Sequence, residues 1–142
     1  MDDIHAINLA KTEFRDGYNA GDVEQVLSVF ADALTDMSDG QPSFWGPEAR
    51  AVLRHRLTEL FTNYRATMKV IIGEIRVGRD TAWSWGWHDL ALVPKDGGEK
   101  MARRERYVEI WNKDKQKNWK ITLFISSHDL PPAMPPATLI QC

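Results

Sequence analysis

Three side chains in this 142-residue chain are candidates for proton-transfer chemistry: His88, Glu109 and Asp36. An imidazole with a pKa of about 6.5 gives or takes a proton at neutral pH. A carboxylate near it is a second acid or base, provided their surroundings separate the two proton affinities. Tyr18 and Tyr107 add phenolic hydrogen-bond donors. Other chemistries lack their patterns: there is no Gly-x-Ser-x-Gly and no glycine-rich phosphate loop. His5, His55, His88 and His128 fall on separate elements without metal-ligand spacing, so neither a metal nor another cofactor is expected. The single cysteine, Cys142, excludes an internal disulfide and a cysteine-rich zinc site. With the acidic start Met1-Asp2-Asp3, which is no signal peptide, the expected address is the cytoplasm.

Composition bounds what can position these groups. Hydrophobic residues make up 43% and charged residues 27%, the balance of an ordinary globular domain. No apolar run approaches the roughly 20 residues of a membrane span. The net charge of -2 argues against a nucleic-acid partner. Charge is unevenly spread: residues 1–50 hold three Lys/Arg against ten Asp/Glu, and residues 51–142 hold fifteen against ten. The basic run Arg103-Arg104-Glu105-Arg106 alternates faces as a strand, which suits a solvated hairpin better than a nucleic-acid surface.

Apolar residues at three- and four-residue steps, Ile4, Ile7, Ala10 or Lys11, Phe14 and Tyr18, predict a first helix stopped at Gly21. Asp22 opens a second helix with Gln25 in capping-box position and Val23, Val26, Leu27 and Phe30 as its apolar face. A short strand is expected over 33–38, with a turn at Asp39-Gly40-Gln41-Pro42. Gly46-Pro47-Glu48 begins a third helix that carries Leu53, Leu57, Leu60 and Phe61. The period then changes to two over 67–77, 81–93, 102–112 and 118–128, with turn residues between, which predicts an antiparallel meander. Residues 130–142 hold four of the seven prolines and no charged side chain, and read as a tail beyond a single domain of residues 1–129. Helices followed by strands argue an α+β fold, one curved antiparallel sheet with three helices on its concave side.

Alternation sorts the strand residues. Ala82, Ser84, Gly86, His88 and Leu90 share one face of the 81–93 strand; Trp83, Trp85, Trp87 and Asp89 share the other. Small residues leave room for helices and a cavity. The tryptophans then form either a homodimer contact on the outer sheet face or an aromatic ligand wall. With the tryptophans outside, His88 faces the pocket, either as an acid/base or as a neutral imidazole satisfied by a carbonyl. Phe44 and Trp45, before the third helix, are a lid or a hydrophobic staple.

The order of elements resembles the nuclear-transport-factor-like superfamily, which includes ketosteroid isomerases and SnoaL-like polyketide cyclases. The resemblance rests on Tyr18-Asn19-Ala20-Gly21-Asp22, Phe30-Ala31-Asp32-Ala33-Leu34 and Gly46-Pro47-Glu48-Ala49. It continues through Gly78-Arg79-Asp80-Thr81-Ala82, Glu109-Ile110-Trp111 and Asn118-Trp119-Lys120-Ile121, and covers residues 2–129. It implies a cone-shaped domain with a pocket at its wide end, and commonly a homodimer through the outer face. Pocket walls from Tyr18, Trp45, Phe61, Tyr107 and Trp111 fit that picture. Similarity to kinase-association-domain members suggests that Glu109 points inward, where His88 is its expected partner; the pair would raise the histidine's pKa. Ketosteroid isomerases use an aspartate base with a tyrosine and a protonated acid as donors, and Tyr18 and Asp36 are the nearest equivalents in kind. Fold does not fix function. The resemblance implies a cofactor-free isomerase, cyclase or dehydratase acting on an apolar cyclic substrate, or a non-catalytic ligand-binding or association module.

Overall fold

A computed structural model describes residues 2–129. The predicted tail, 130–142, lies outside the described residues. Two helices open the chain, α1 (Asp3–Ala20) and α2 (Val23–Leu27); strand β1 (Phe30–Met37) and helix α3 (Ala49–Asn63) follow. Four long strands complete it: β2 (Tyr64–Val77), β3 (Thr81–Pro94), β4 (Met101–Lys113) and β5 (Trp119–His128). Local chemistry explains the boundaries. Asp2 caps α1 by accepting from the His5 N–H at 2.8 Å, and Gly21 ends that helix in the left-handed region at φ 66°. Asp22 caps α2 through the Gln25 N–H at 3.0 Å, but the Gln25 side chain donates to Glu13 instead of closing a capping box. Phe30, expected on the second helix, begins β1, and β2 starts at Tyr64 with no loop after α3. Among the described residues no helix is long and apolar enough to cross a membrane.

The five strands form one curved sheet in the order β1-β5-β4-β3-β2. Strands β2 to β5 are the antiparallel meander that the turn residues predict. The sheet as a whole is mixed, because β1 pairs parallel with β5, Asp36 opposite Phe124. The chain leaves β1, passes through α3 and re-enters at the far edge. Closure of β1 onto β5 is therefore a contact between the two ends of the fold, with no local turn to announce it.

The faces follow alternation. On β3, Ala82, Ser84, His88 and Leu90 are buried beneath the helices, while Trp83 and Trp85 keep 42% and 38% of their surface exposed on the outside. Ile72, Val108 and Ile125 share the exposure. The register of β2 against β3 shifts between Ile72 and Glu74. A side chain at Gly73 would stand 2.2 Å from the Trp85 ring, so glycine is what lets that indole lie flat on the neighbouring strand. Ile7, Leu27, Leu34, Leu57, Trp111 and Ile121 are among the core side chains that close the space between helices and sheet.

Candidate active site

A cavity of about 180 Å³ lies between the helices and the inner face of the sheet, and every helix and strand supplies a wall. Leu53, Leu57 and Leu60 of α3, Met68 of β2, Leu90 and Leu92 of β3 and Phe124 of β5 make it apolar. Tyr18, Asp36, Ser38, His88 and Glu105 bring polar groups to it, and Asp39, Gln41, Arg56 and Arg103 stand with them.

Asp36 is 3% exposed, placed by the alternation that also buries Leu34. Its backbone pairs both ways with Phe44, at 2.9 and 3.1 Å, which pins the strand end to the segment before α3. Its Oδ1 accepts the Ser38 N–H at 3.0 Å and the Ser38 hydroxyl at 2.6 Å. Burial raises its pKa above the usual carboxylate value; the Ser38 bonds and the nearby Arg56 charge pull the other way. Tyr18, on the last turn of α1, has its phenol pKa raised by burial and by the Asp36 and Glu105 carboxylates, so it stays protonated. Glu105 is likewise raised by burial, against the pull of Arg103, whose Nη2 lies 3.0 Å from Oε1.

His88 is 2% exposed and faces the cavity. The rings of Tyr107 and Phe14 stack on it with centroids 4.4 and 5.2 Å away. Its Nε2 has no hydrogen-bond partner among the described residues. Desolvation, then the Lys11 charge, lowers its pKa to about 3, so the imidazole is neutral at physiological pH.

The expected pair of His88 with Glu109 does not form, and the direction of the histidine's shift is opposite to that expectation. Register is the reason. Glu109 pairs across with Ser84, while His88 stands opposite Glu105. Four residues along a strand put the histidine about 13 Å from the level of Glu109. Glu109 points inward, but its partner is Lys11 of α1, a buried ion pair completed by the Ser84 hydroxyl donating at 2.7 Å. Trp111 Nε1 donates to the same Ser84 oxygen at 3.3 Å, and the Lys11 ammonium lies 4.3 Å from the Tyr107 ring centre. Burial lowers the lysine's pKa and Glu109 opposes it. This network lies deep under the sheet and lines no part of the cavity.

Of the expected wall residues, Tyr18 lines the cavity and four do not. Trp45 is 69% exposed; the bridge to Asp36 turns Phe44 inward, and its neighbour points out to solvent. Phe61, Tyr107 and Trp111 are buried in the core. Phe61 packs edge-on to Tyr18, Tyr107 stacks on His88, and Trp111 serves the Glu109 network. Sequence reasoning missed Lys11, Arg56, Arg103 and Glu105, while Ser38 shares the strand face of Leu34 and Asp36. Two had a signal: Lys11 occupies a buried-stripe position of α1, and Glu105 shares a strand face with Glu109.

Among the described residues no three His, Cys, Asp or Glu side chains gather as a metal site requires. No protein-family model matches the chain, and no curated protein does. Solved structures do match in shape. A ketosteroid isomerase-like protein from Erwinia carotovora atroseptica superposes with TM-score 0.78 at 18% identity, over 92% of this chain and 98% of that one. A presumed aromatic ring hydroxylase from Novosphingobium aromaticivorans gives 0.77 at 21% identity, covering 89% and 88%. A presumed dehydratase of the NTF2-like family from Streptomyces avermitilis gives 0.73 at 18% identity, covering 91% and 97%. The chain is an α+β cone with the nuclear transport factor 2-like fold.

Proposed function

We propose that this chain is a cofactor-free enzyme that moves a proton next to a carbonyl on a small apolar cyclic substrate, as an isomerase, cyclase or dehydratase does. The observation that carries the reading is one apolar cavity holding a buried carboxylate of raised proton affinity, Asp36, and a protonated phenol, Tyr18. His88 faces the same space with Nε2 unpartnered. Both hydrogen bonds to Asp36 end on Oδ1, and Oδ2 accepts the substrate's proton. Tyr18 donates a hydrogen bond to the carbonyl oxygen as negative charge develops there. His88, neutral, hydrogen-bonds the substrate and is not the base. The proton returns from Asp36 to another carbon, or to a hydroxyl that leaves as water. Glu109 supports the fold and takes no part. A cavity of about 150 Å³ holds benzene, so about 180 Å³ matches one ring better than a steroid's four.

The test is conversion of cyclohex-3-enone to cyclohex-2-enone, followed by ultraviolet absorbance, beside a panel of other carbonyl compounds, epoxides and steroids. Acceleration over buffer that is abolished in Asp36→Asn and falls about tenfold or more in Tyr18→Phe supports the reading. No acceleration of any panel member overturns it in favour of a ligand-binding or association module. The specific observation on that side is the exposed Trp83 and Trp85 with Ile72, Val108 and Ile125. We assign this face, with the half-buried Trp87, to a homodimer contact under either reading. A cytoplasmic address belongs to the same proposal.

A further inference from the structure

We infer that the substrate of this cavity carries a carboxylate or similar anionic group, and that Arg56 is the residue that recognises it. The inference rests on the proposed small-molecule pocket and names its substrate class. Arg56 is on the cavity side of α3, in helical step with Leu53, Leu57 and Leu60. Two contacts hold it. Nη2 donates to the Pro42 carbonyl at 2.9 Å, and the guanidinium carbon lies 4.5 Å from the Phe44 ring centre. Neither contact neutralises the charge. Two cations line the cavity among the described residues: Arg103 is engaged with Glu105, while Arg56 has no carboxylate within 4.0 Å. Arginine at the edge of an apolar cavity, fixed in place with most of its N–H donors unused, is built for fork-to-fork binding of a planar anion. The leucines and Met68 then take the ring.

The acidic groups around the same cavity make the placement selective. An anion elsewhere on this wall faces Asp36, Asp39 or Glu105; only at Arg56 does it meet an unspent positive charge. An anion bound there also offsets the positive field that reaches Asp36, leaving that carboxylate a stronger proton acceptor. Substrate binding and activation of the base are thereby coupled. The substrate class is a single-ring oxo-carboxylate, its ring among the leucines and its carboxylate on Arg56.

Benzoate and its neutral isostere benzamide are the probes. Binding is measured by titration calorimetry, and methyl NMR shifts of Leu53, Leu57 and Leu90 locate it. Benzoate is expected to bind about tenfold or more tighter than benzamide to the wild type. Arg56→Gln is expected to erase that preference while leaving benzamide within about twofold, and Arg56→Lys to retain part of it. Equal binding of the two probes to the wild type overturns the inference and leaves the pocket reading standing. So does a benzoate preference that survives in Arg56→Gln. Binding of neither probe overturns both.

Discussion

Replacing Lys11 with methionine removes the positive charge that pairs with the buried Glu109 carboxylate. Lys11 and Glu109 are 5% and 2% exposed, so bulk water offers the remaining charge nothing. In the variant the Glu109 carboxylate keeps the Ser84 bond and loses its counter-ion. Breaking a buried pair from one side costs about 3–5 kcal/mol. At about 3 °C per kcal/mol for a chain near 150 residues, Tm falls by about 10–15 °C. The double variant Lys11→Met/Glu109→Gln removes both charges, and the Gln carbonyl still accepts from Ser84. It is expected to recover at least half the loss, since burial without charge carries little penalty. Urea denaturation of the wild type, both single variants and the double variant at pH 7, read by tryptophan fluorescence, gives the cycle. Coupling of about 2 kcal/mol or more is the expected result. Single variants that each lose less than about 1 kcal/mol, with losses that simply add, would refute the buried pair and the packing of α1 on β4 with it.

Three further outcomes follow from the site. The folded-state pKa of His88 is about 3, against an ordinary 6.5, so between those values the unfolded chain binds more protons. Stability therefore falls as pH drops below 6.5, by up to about 1.4 kcal/mol per pH unit from this residue. His88→Phe, which keeps the ring stack, should lose that share of the slope between pH 6.5 and 4 in paired denaturation curves, and an unchanged slope would show a solvated histidine. Asp36 is shifted upward, so its ionised form is disfavoured in the fold and its stability contribution declines as pH rises through its folded pKa. Asp36→Asn should raise Tm at pH 7, with the gap closing in acid, and a lower Tm at pH 7 would count against a costly buried carboxylate. Trp85→Glu should convert a dimer to a monomer by light scattering after size exclusion. A monomeric wild type, or a variant that stays dimeric, removes the outer-face contact.

Much of the fold was legible because local chemistry writes it. Asp2 and Asp22 are capping side chains, Gly21 takes a left-handed φ, and the breaks between the long strands are turn residues. Alternation put His88 and the tryptophans on opposite faces of one strand and Asp36 on the face of Leu34, because a strand's side chains have a strict period of two; packing decided that the faces of His88 and Asp36 are the buried ones. The site was less legible. The resemblance gives the face of Glu109 but not the level of its neighbour, and a four-residue offset separates it from His88. Trp45 looked like a wall residue until a bridge between Asp36 and Phe44 fixed which of two adjacent aromatic rings turns in.

Taken alone, the amino-acid order determined the helices, the meander, which side chains share a strand face and the chemical types available for proton transfer. Each depends on residues within a few positions of one another. Tertiary structure alone decided the parallel pairing of β1 with β5, the meeting of Lys11 with Glu109 across 98 residues, and the gathering of Tyr18, Asp36, Arg56, His88 and Glu105 around one cavity. It also decided the proton affinities of Tyr18, Asp36, His88 and Glu105, because desolvation and nearby charge depend on what packs around a group and not on its neighbours in sequence.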